Sequence, residues 1–221
     1  MNLYGLIIGI ALVIGIEYFS KNNRIIPKNR ENVFIFGLLI SALLGARIYH
    51  VIDQWSFYQK NPQFILQTWH GGLGIYGALI AIALFIFIYS QVSKIRFLNI
   101  LDLIIPILPL CQSIGRFGNF VNHEIPTWWL EASLNLILFF IIRSKKLINY
   151  SPTSQYLIGY GLIRFFIEFF RNDTWTIGNF KIAQLLSIIF ICLGLILTKH
   201  ERIKVSPKHR QKHPLDSKTN L

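Results

Sequence analysis

Charge is what this sequence is short of. Asp, Glu, Lys and Arg together make up 14% of its 221 residues, where a soluble globular domain carries about a quarter. So few charges argue against a water-facing surface on every side. Cysteine is nearly absent too: Cys111 and Cys192 both fall inside apolar runs, which excludes a disulfide framework and offers no cysteine cluster for a metal. No small-residue cleavage pattern follows the first apolar run, so Leu3–Phe19 is expected to stay as a helix rather than to leave as a signal peptide. Internal repeats are also lacking, which disfavours a transporter or channel built from matched halves.

What the chain has instead is apolar length. Hydrophobic residues make up 53%, Phe alone numbers 18, and the mean hydropathy is +0.48. Seven runs, at about 3–19, 32–52, 70–90, 99–115, 126–142, 154–170 and 180–198, approach or reach the roughly 17–25 residues that cross about 30 Å of hydrocarbon as helix. The expected fold is therefore an all-α integral membrane protein of seven transmembrane helices over residues 1–198. A basic, disordered tail is expected over residues 199–221.

The basic residues set the expected orientation. Lys21, Arg24, Lys28 and Arg30, then Lys94 and Arg96, then Arg143, Lys145 and Lys146, then seven more in the tail all fall on one set of alternate loops. The other set holds Lys60, Arg171 and Lys181. By the positive-inside rule the N-terminus is expected outside and the C-terminus in the cytoplasm. The net charge of +12 is then mostly a topology signal plus attraction to anionic lipids. A nucleic-acid partner would need these charges gathered on one folded face, and none is expected.

Three arginines remain, Arg47, Arg116 and Arg164, each near the outer end of an expected span. Intramembrane charges usually face a protein interior and mark function; snorkelling to the headgroups is the competing reading. Arg116 belongs to the densest polar stretch of the chain, Gly115-Arg116-Phe117-Gly118-Asn119-Phe120-Val121-Asn122-His123-Glu124. Its planar fork suits a phosphate. Asn119 and Asn122 share a face if the stretch is helical, and Glu124 can orient Arg116, act as a base or receive a proton. A purely structural interhelical clamp is the alternative. Pro106 and Pro109 just upstream imply a kinked or interrupted helix. Tyr160, Arg164 and Glu168 are spaced i, i+4, i+8 and share one helix face, as a pocket wall or a buried salt bridge would. His70-Gly71-Gly72-Leu73-Gly74-Ile75-Tyr76-Gly77 concentrates glycine where backbone can approach a ligand, flanked by His70 and Tyr76.

The stretch from Gly115 to Glu124 resembles the signature of the prolipoprotein diacylglyceryl transferases of bacterial membranes. The likeness extends over nearly the whole chain: Tyr4-Gly5-Leu6, Gly45-Ala46-Arg47, His70-Gly71-Gly72 with Tyr76-Gly77, Asp102 with Pro106, Pro126-Thr127 with Glu131, Tyr160 to Arg171, and Gln184-Leu185-Leu186-Ser187. This resemblance implies transfer of the sn-1,2-diacylglyceryl group of phosphatidylglycerol to the lipobox cysteine of a prolipoprotein signal peptide, releasing glycerol phosphate. It implies no metal or organic cofactor and a place in the bacterial cytoplasmic (inner) membrane, with the active site toward the outer leaflet. Arg116 and Arg164 would hold the phosphate as the glycerol phosphate leaves. Asn119, Asn122 and Glu124 would orient the headgroup, Tyr4, Tyr160 and Glu168 would shape the cavity, and Arg47 would join the substrate-binding set.

Two departures from the family pattern stand out. Tyr76 occupies the position where the family usually has a histidine, a favoured acceptor for the thiol proton. A phenol with a reference pKa of about 10 is a poor base unless an arginine lowers it. His70, with the better intrinsic pKa, Glu124 and the cysteine's own ionisation are the other candidates. The second departure is a short connection: Glu124 and Pro126 nearly touch where family members insert a small outer head domain. A catalytically weak relative that binds phosphatidylglycerol or lipopeptides is the alternative function.

Overall fold

The structure, a computed structural model, describes residues 3–122, 126–144, 150–171, 176–177 and 180–205. Among the described residues the order is α1 (Leu3–Asn22), α2 (Lys28–Asp53), α3 (Trp55–Tyr58), α4 (Ile75–Ser93), α5 (Phe97–Ile104), α6 (Leu108–Val121), α7 (Trp128–Arg143), α8 (Pro152–Ile167), the two-residue antiparallel strands β1 (Thr176–Ile177) and β2 (Phe180–Lys181), and α9 (Ile182–Val205). Short 3₁₀ turns cover Pro62–Phe64, Thr68–His70, Ile105–Ile107 and Glu168–Phe170.

Among the described residues five stretches are long and apolar enough to cross a membrane: Leu3–Asn22, Lys28–Asp53, Ile75–Ser93, Phe97–Val121 and Ile182–His200. Helices α7 and α8 stand where spans five and six are expected, at 16 residues each. That is about 24 Å of helix, short of the hydrocarbon thickness. The third span starts later than the sequence suggests, at Ile75 rather than 70, because Gly71 and Gly72 take φ of +88° and +74° and cannot be helical. Span four is interrupted at Ile105–Ile107, where Pro106 removes a backbone donor, and resumes as α6 with Pro109 in its first turn. Helix α9 continues to Val205, into the stretch expected to be tail; residues 206–221 lie outside the described residues.

Burial is inverted relative to a soluble protein. Val13, Val33, Phe36, Ile80 and Phe140 are well exposed, while Glu131, Asn135, Ser154 and Glu168 are fully buried. Apolar outside and polar inside is the pattern that a lipid solvent selects.

The chain divides into two compact units, residues 1–18 with 104–221, and residues 19–103. In the first, α6, α7 and α8 pack successively and α8 lies along α9. The N-terminal part of α1 touches α6, where the Cys111 thiol donates to the Ala11 carbonyl at 3.3 Å. In the second unit α2 and α4 pack face to face. A side chain on Gly45 would strike the Gly77 carbonyl, and the reverse holds for Gly77, so small residues bring the two backbones together. Further along the pair, Phe34 stacks on Phe19 and meets the edge of Tyr89 at 4.7 Å. The loop between α1 and α2 is pinned by Asn23 and Lys28, which both donate to Glu31, at 2.8 and 2.9 Å.

Candidate functional site

The first unit assembles a charged cluster from three consecutive helices. Glu131 falls in the first turn of α7, where the helix dipole favours a carboxylate, and Arg164 falls in the last turn of α8, where it favours a cation. Arg116 projects from α6 and donates through Nη2 to Glu131 Oε1, while its Nη1 donates to Asn119 Oδ1 at 2.9 Å. Arg164 Nη1 stands 4.0 Å from Glu131 Oε2, and Arg164 Nη2 pairs with Glu168 Oε2 at 3.1 Å, one turn along. One fully buried carboxylate therefore faces two guanidiniums, and a second holds one of them from its far side. The four formal charges cancel, which lets the group persist among apolar helices.

Neither guanidinium is used up. Each arginine side chain keeps 21% of its surface exposed, and Arg164 Nη1 is a buried donor without a hydrogen bond among the described residues. Such an arrangement holds two planar forks in fixed orientation with donors to spare, the chemistry of an oxyanion or phosphate clamp. Helix α6 is regular through Val121, with Asn122 as its C-cap, so Arg116 and Asn119 are neighbours on one face, as the hydrogen bond between them requires. Tyr4 also reaches this helix: a Cβ on Gly118 would lie 2.7 Å from its ring, so the ring rests directly on the bare backbone of the signature. Tyr160 stacks on Tyr156, with ring centroids 5.3 Å apart, and Tyr156 accepts a hydrogen bond from Gln112 at 2.8 Å. Lys181 ties the end of α8 by donating to the Glu168 and Arg171 carbonyls.

The second unit contains the remaining expected site residues. Arg47, 7% exposed, spends its guanidinium on backbone. It donates to the carbonyls of Phe64, Ile65, Gly71 and Gly72 at 2.5–2.9 Å and lies over the Tyr58 ring at 5.3 Å. These bonds fold the 64–72 loop back onto α2, and Gly74 closes the same junction by donating to the Ala46 carbonyl at 2.9 Å. Gly72 is required twice over, by its positive φ and because a Cβ would strike His50 and Arg47. His70 is the last residue of the Thr68–His70 turn, which the Gly71 N–H closes by donating to the Thr68 carbonyl at 3.2 Å, and Tyr76 lies in the first turn of α4 with its ring 6.1 Å from Tyr49. Tyr76 is 40% exposed, and among the described residues its hydroxyl makes no hydrogen bond. The side chain of His70 and the whole of Glu124 lie outside the described residues.

Arg116, Asn119, Arg164 and Glu168 are thus brought together in one cluster, with Tyr4 and Tyr160 on its helices. Glu131 is the centre of that cluster. In the sequence it stands out only as part of a family-like element, and its signal is an acidic residue in the first turn of an apolar helix.

A model of the prolipoprotein diacylglyceryl transferase family matches residues 1–128 and 125–199. The chain belongs to this family. The two matches overlap at residues 125–128, at the end of the link between α6 and α7. Among curated relatives, the chain is 35% identical to the phosphatidylglycerol–prolipoprotein diacylglyceryl transferase of Listeria welshimeri over 245 residues, covering 93% of this chain and 87% of the relative. It is 36% identical to the enzyme of the same name from Clostridium novyi over 243 residues, covering 94% of each. The corresponding Finegoldia magna enzyme is 32% identical over 220 residues, with 88% of each covered. The Listeria alignment is longer than this chain, so that relative carries residues this chain does without.

Proposed function

We propose that this chain catalyses the reaction for which its relatives are named, moving the diacylglyceryl group of phosphatidylglycerol to the thiol of a prolipoprotein lipobox cysteine. The observation that carries this reading is the pair of guanidiniums from α6 and α8 held on Glu131 with donors to spare. A phosphodiester seated on those donors has its negative charge matched before reaction and better matched as it becomes a monoester. That difference lowers the barrier. The cysteine sulfur forms a bond to the sn-3 carbon of the diacylglyceryl group while the bond from that carbon to the phosphate oxygen breaks. The oxygen keeps the bonding pair and leaves as glycerol phosphate. The thiol gives up its proton to a base, for which Tyr76, His70 and Glu124 are the candidates.

In this reading Asn119 and Asn122 orient the headgroup, Tyr4 and Tyr160 shape its enclosure, and Glu168 holds Arg164. Arg47 contributes through the loop it ties down. The seven helical segments span the bacterial cytoplasmic membrane with the N-terminus outside and the tail inside, which puts the cluster toward the outer leaflet and the basic loops against anionic lipid. The signal peptide of the prolipoprotein and the lipid both arrive from the bilayer.

The test is transfer itself. Full-length protein in phosphatidylglycerol vesicles should add a diacylglyceryl mass to a lipobox peptide. Arg164→Lys, which keeps the charge and loses the fork, should lower kcat/KM at least about 100-fold. Folded wild-type protein that binds the lipid yet transfers nothing would sink the enzymatic reading in favour of a binding-only relative.

A further inference from the structure

Next to the charged cluster lies a second polar layer that the phosphate does not need. On α7, Asn135 follows Glu131 by one helical turn and is 0% exposed, yet among the described residues neither its amide nitrogen nor its amide oxygen makes a hydrogen bond. On α6, Gln112 precedes Arg116 by one turn. Its nitrogen donates to Tyr156 at 2.8 Å, while its buried oxygen is without a partner among the described residues. Helix α7 follows α6 after a short link and packs along it, and the Arg116–Glu131 contact fixes their register. Gln112 and Asn135 therefore fall at the same level, four residues or about 6 Å along the helices from the guanidiniums.

Buried amides are almost always hydrogen-bonded, and each unmet group is costly. A fully buried asparagine with both ends unmet, beside a glutamine with one end unmet, is a place built for something polar. Its chemistry is specific. Amides offer donors and acceptors in equal measure and carry no charge, so an anion would face their oxygens and an ammonium would face their nitrogens. A hydroxyl satisfies both.

We propose that Asn135 and Gln112 recognise the terminal glycerol hydroxyls of the phosphatidylglycerol headgroup while Arg116 and Arg164 hold its phosphate, a reading that rests on the function proposed above. Those hydroxyls lie three and four bonds from the phosphate ester oxygen, a reach that matches one helical turn. Asn135 is then a specificity-determining residue, selecting a hydroxyl-bearing headgroup over one of equal charge and size. Bound water offers the same hydroxyl chemistry, and the experiment separates the two.

The full-length protein is assayed in vesicles with phosphatidylglycerol or with phosphatidylpropanol of the same acyl chains, whose headgroup lacks both hydroxyls. The wild type should favour phosphatidylglycerol by at least about tenfold in kcat/KM. Asn135→Leu should bring that ratio toward one by slowing phosphatidylglycerol alone, with a thermal midpoint unchanged or raised, since an unpaired buried amide gives way to an apolar group of similar volume. Equal use of both lipids by the wild type would overturn the proposal, as would Asn135→Leu slowing both lipids alike, the result expected if the amide holds only water or only the fold. Should neither lipid support transfer, the transferase reading has failed, and the hydroxyl site is read from lipid-induced shifts in thermal midpoint. A larger shift with phosphatidylglycerol, lost in Asn135→Leu, supports the site, and equal shifts refute it.

Discussion

The two units solve the same problem, a guanidinium among apolar helices, in opposite ways. In residues 19–103, Arg47 donates to the backbone carbonyls of Phe64, Ile65, Gln67, Gly71 and Gly72 and lies over an aromatic face, and among the described residues no carboxylate pairs with it. In the other unit Arg116 and Arg164 meet carboxylates and keep exposed edges. Neutral dipoles absorb all the donors of a fork because each carbonyl takes one. A carboxylate compensates the charge with fewer contacts and leaves donors over. The first solution makes a clamp for a loop; the second leaves donors that suit an anion, as the proposed function requires. An arginine's function in such a protein follows from what compensates it rather than from its depth.

The sharpest way to break this contrast is to remove the compensation while keeping the shape. Glu131→Gln preserves the side-chain outline but leaves two guanidiniums facing a neutral amide at a fully buried position. Losing one partner of a buried ionic network costs about 3 kcal/mol, so the thermal midpoint in detergent should fall clearly. The forks also lose their common anchor, and misplacement by about 1 Å is enough to cost about 100-fold in turnover. Both effects should be read in one preparation, by thermal unfolding and by peptide lipidation. Normal stability with normal rate would mean that Glu131 does not position the arginines.

The same logic predicts a smaller and differently distributed effect in the other unit. Arg47→Lys keeps the charge but has at most three donors for those five carbonyls, and it loses the planar fork that reaches Ile65 and Gly72 together. At least one buried carbonyl is left unmet, at about 1–3 kcal/mol. Stability should therefore fall by that amount, while kcat/KM for phosphatidylglycerol falls less than about tenfold. A loss in rate as large as that of Glu131→Gln, without a loss of stability, would move Arg47 from clamp to substrate contact.

These roles were unequally legible in the sequence. Polar density alone picked out Arg116, Asn119 and Asn122, because a membrane helix rarely carries so many polar groups together, and the i, i+4, i+8 spacing did the same for Tyr160, Arg164 and Glu168. The partners of Arg47 are main-chain oxygens, which every residue has, so its clamp leaves no trace in residue types. Asn135, alone among Leu, Ile and Phe, looks like an ordinary helix residue until the fold buries it completely. The start of α4 is hard to read from the sequence for a related reason: the carbonyls of Gly71 and Gly72, both at positive φ, are bonded by Arg47, 24 and 25 positions earlier in the chain.

The smallest expected effect concerns Tyr76, and it sharpens the comparison because Tyr76 belongs to the unit of the loop clamp. A side chain that takes the thiol proton contributes about 100- to 10,000-fold to rate. For a phenol to do so at neutral pH, a cation or strong donor must stabilise its anion. Among the described residues the Tyr76 hydroxyl has no hydrogen-bond partner, the ring is 40% exposed and its aromatic neighbour is Tyr49. Arg47, in the same unit, gives its donors to carbonyls. Tyr76→Phe should therefore keep the transfer rate within about threefold and leave the pH profile unmoved, since an unpartnered hydroxyl falls well short of the contribution of a working base. A 100-fold loss with a displaced alkaline limb would assign the proton to this phenol. It would also require substrate binding to bring a cation to it, making the second unit part of the chemistry as well as of the scaffold.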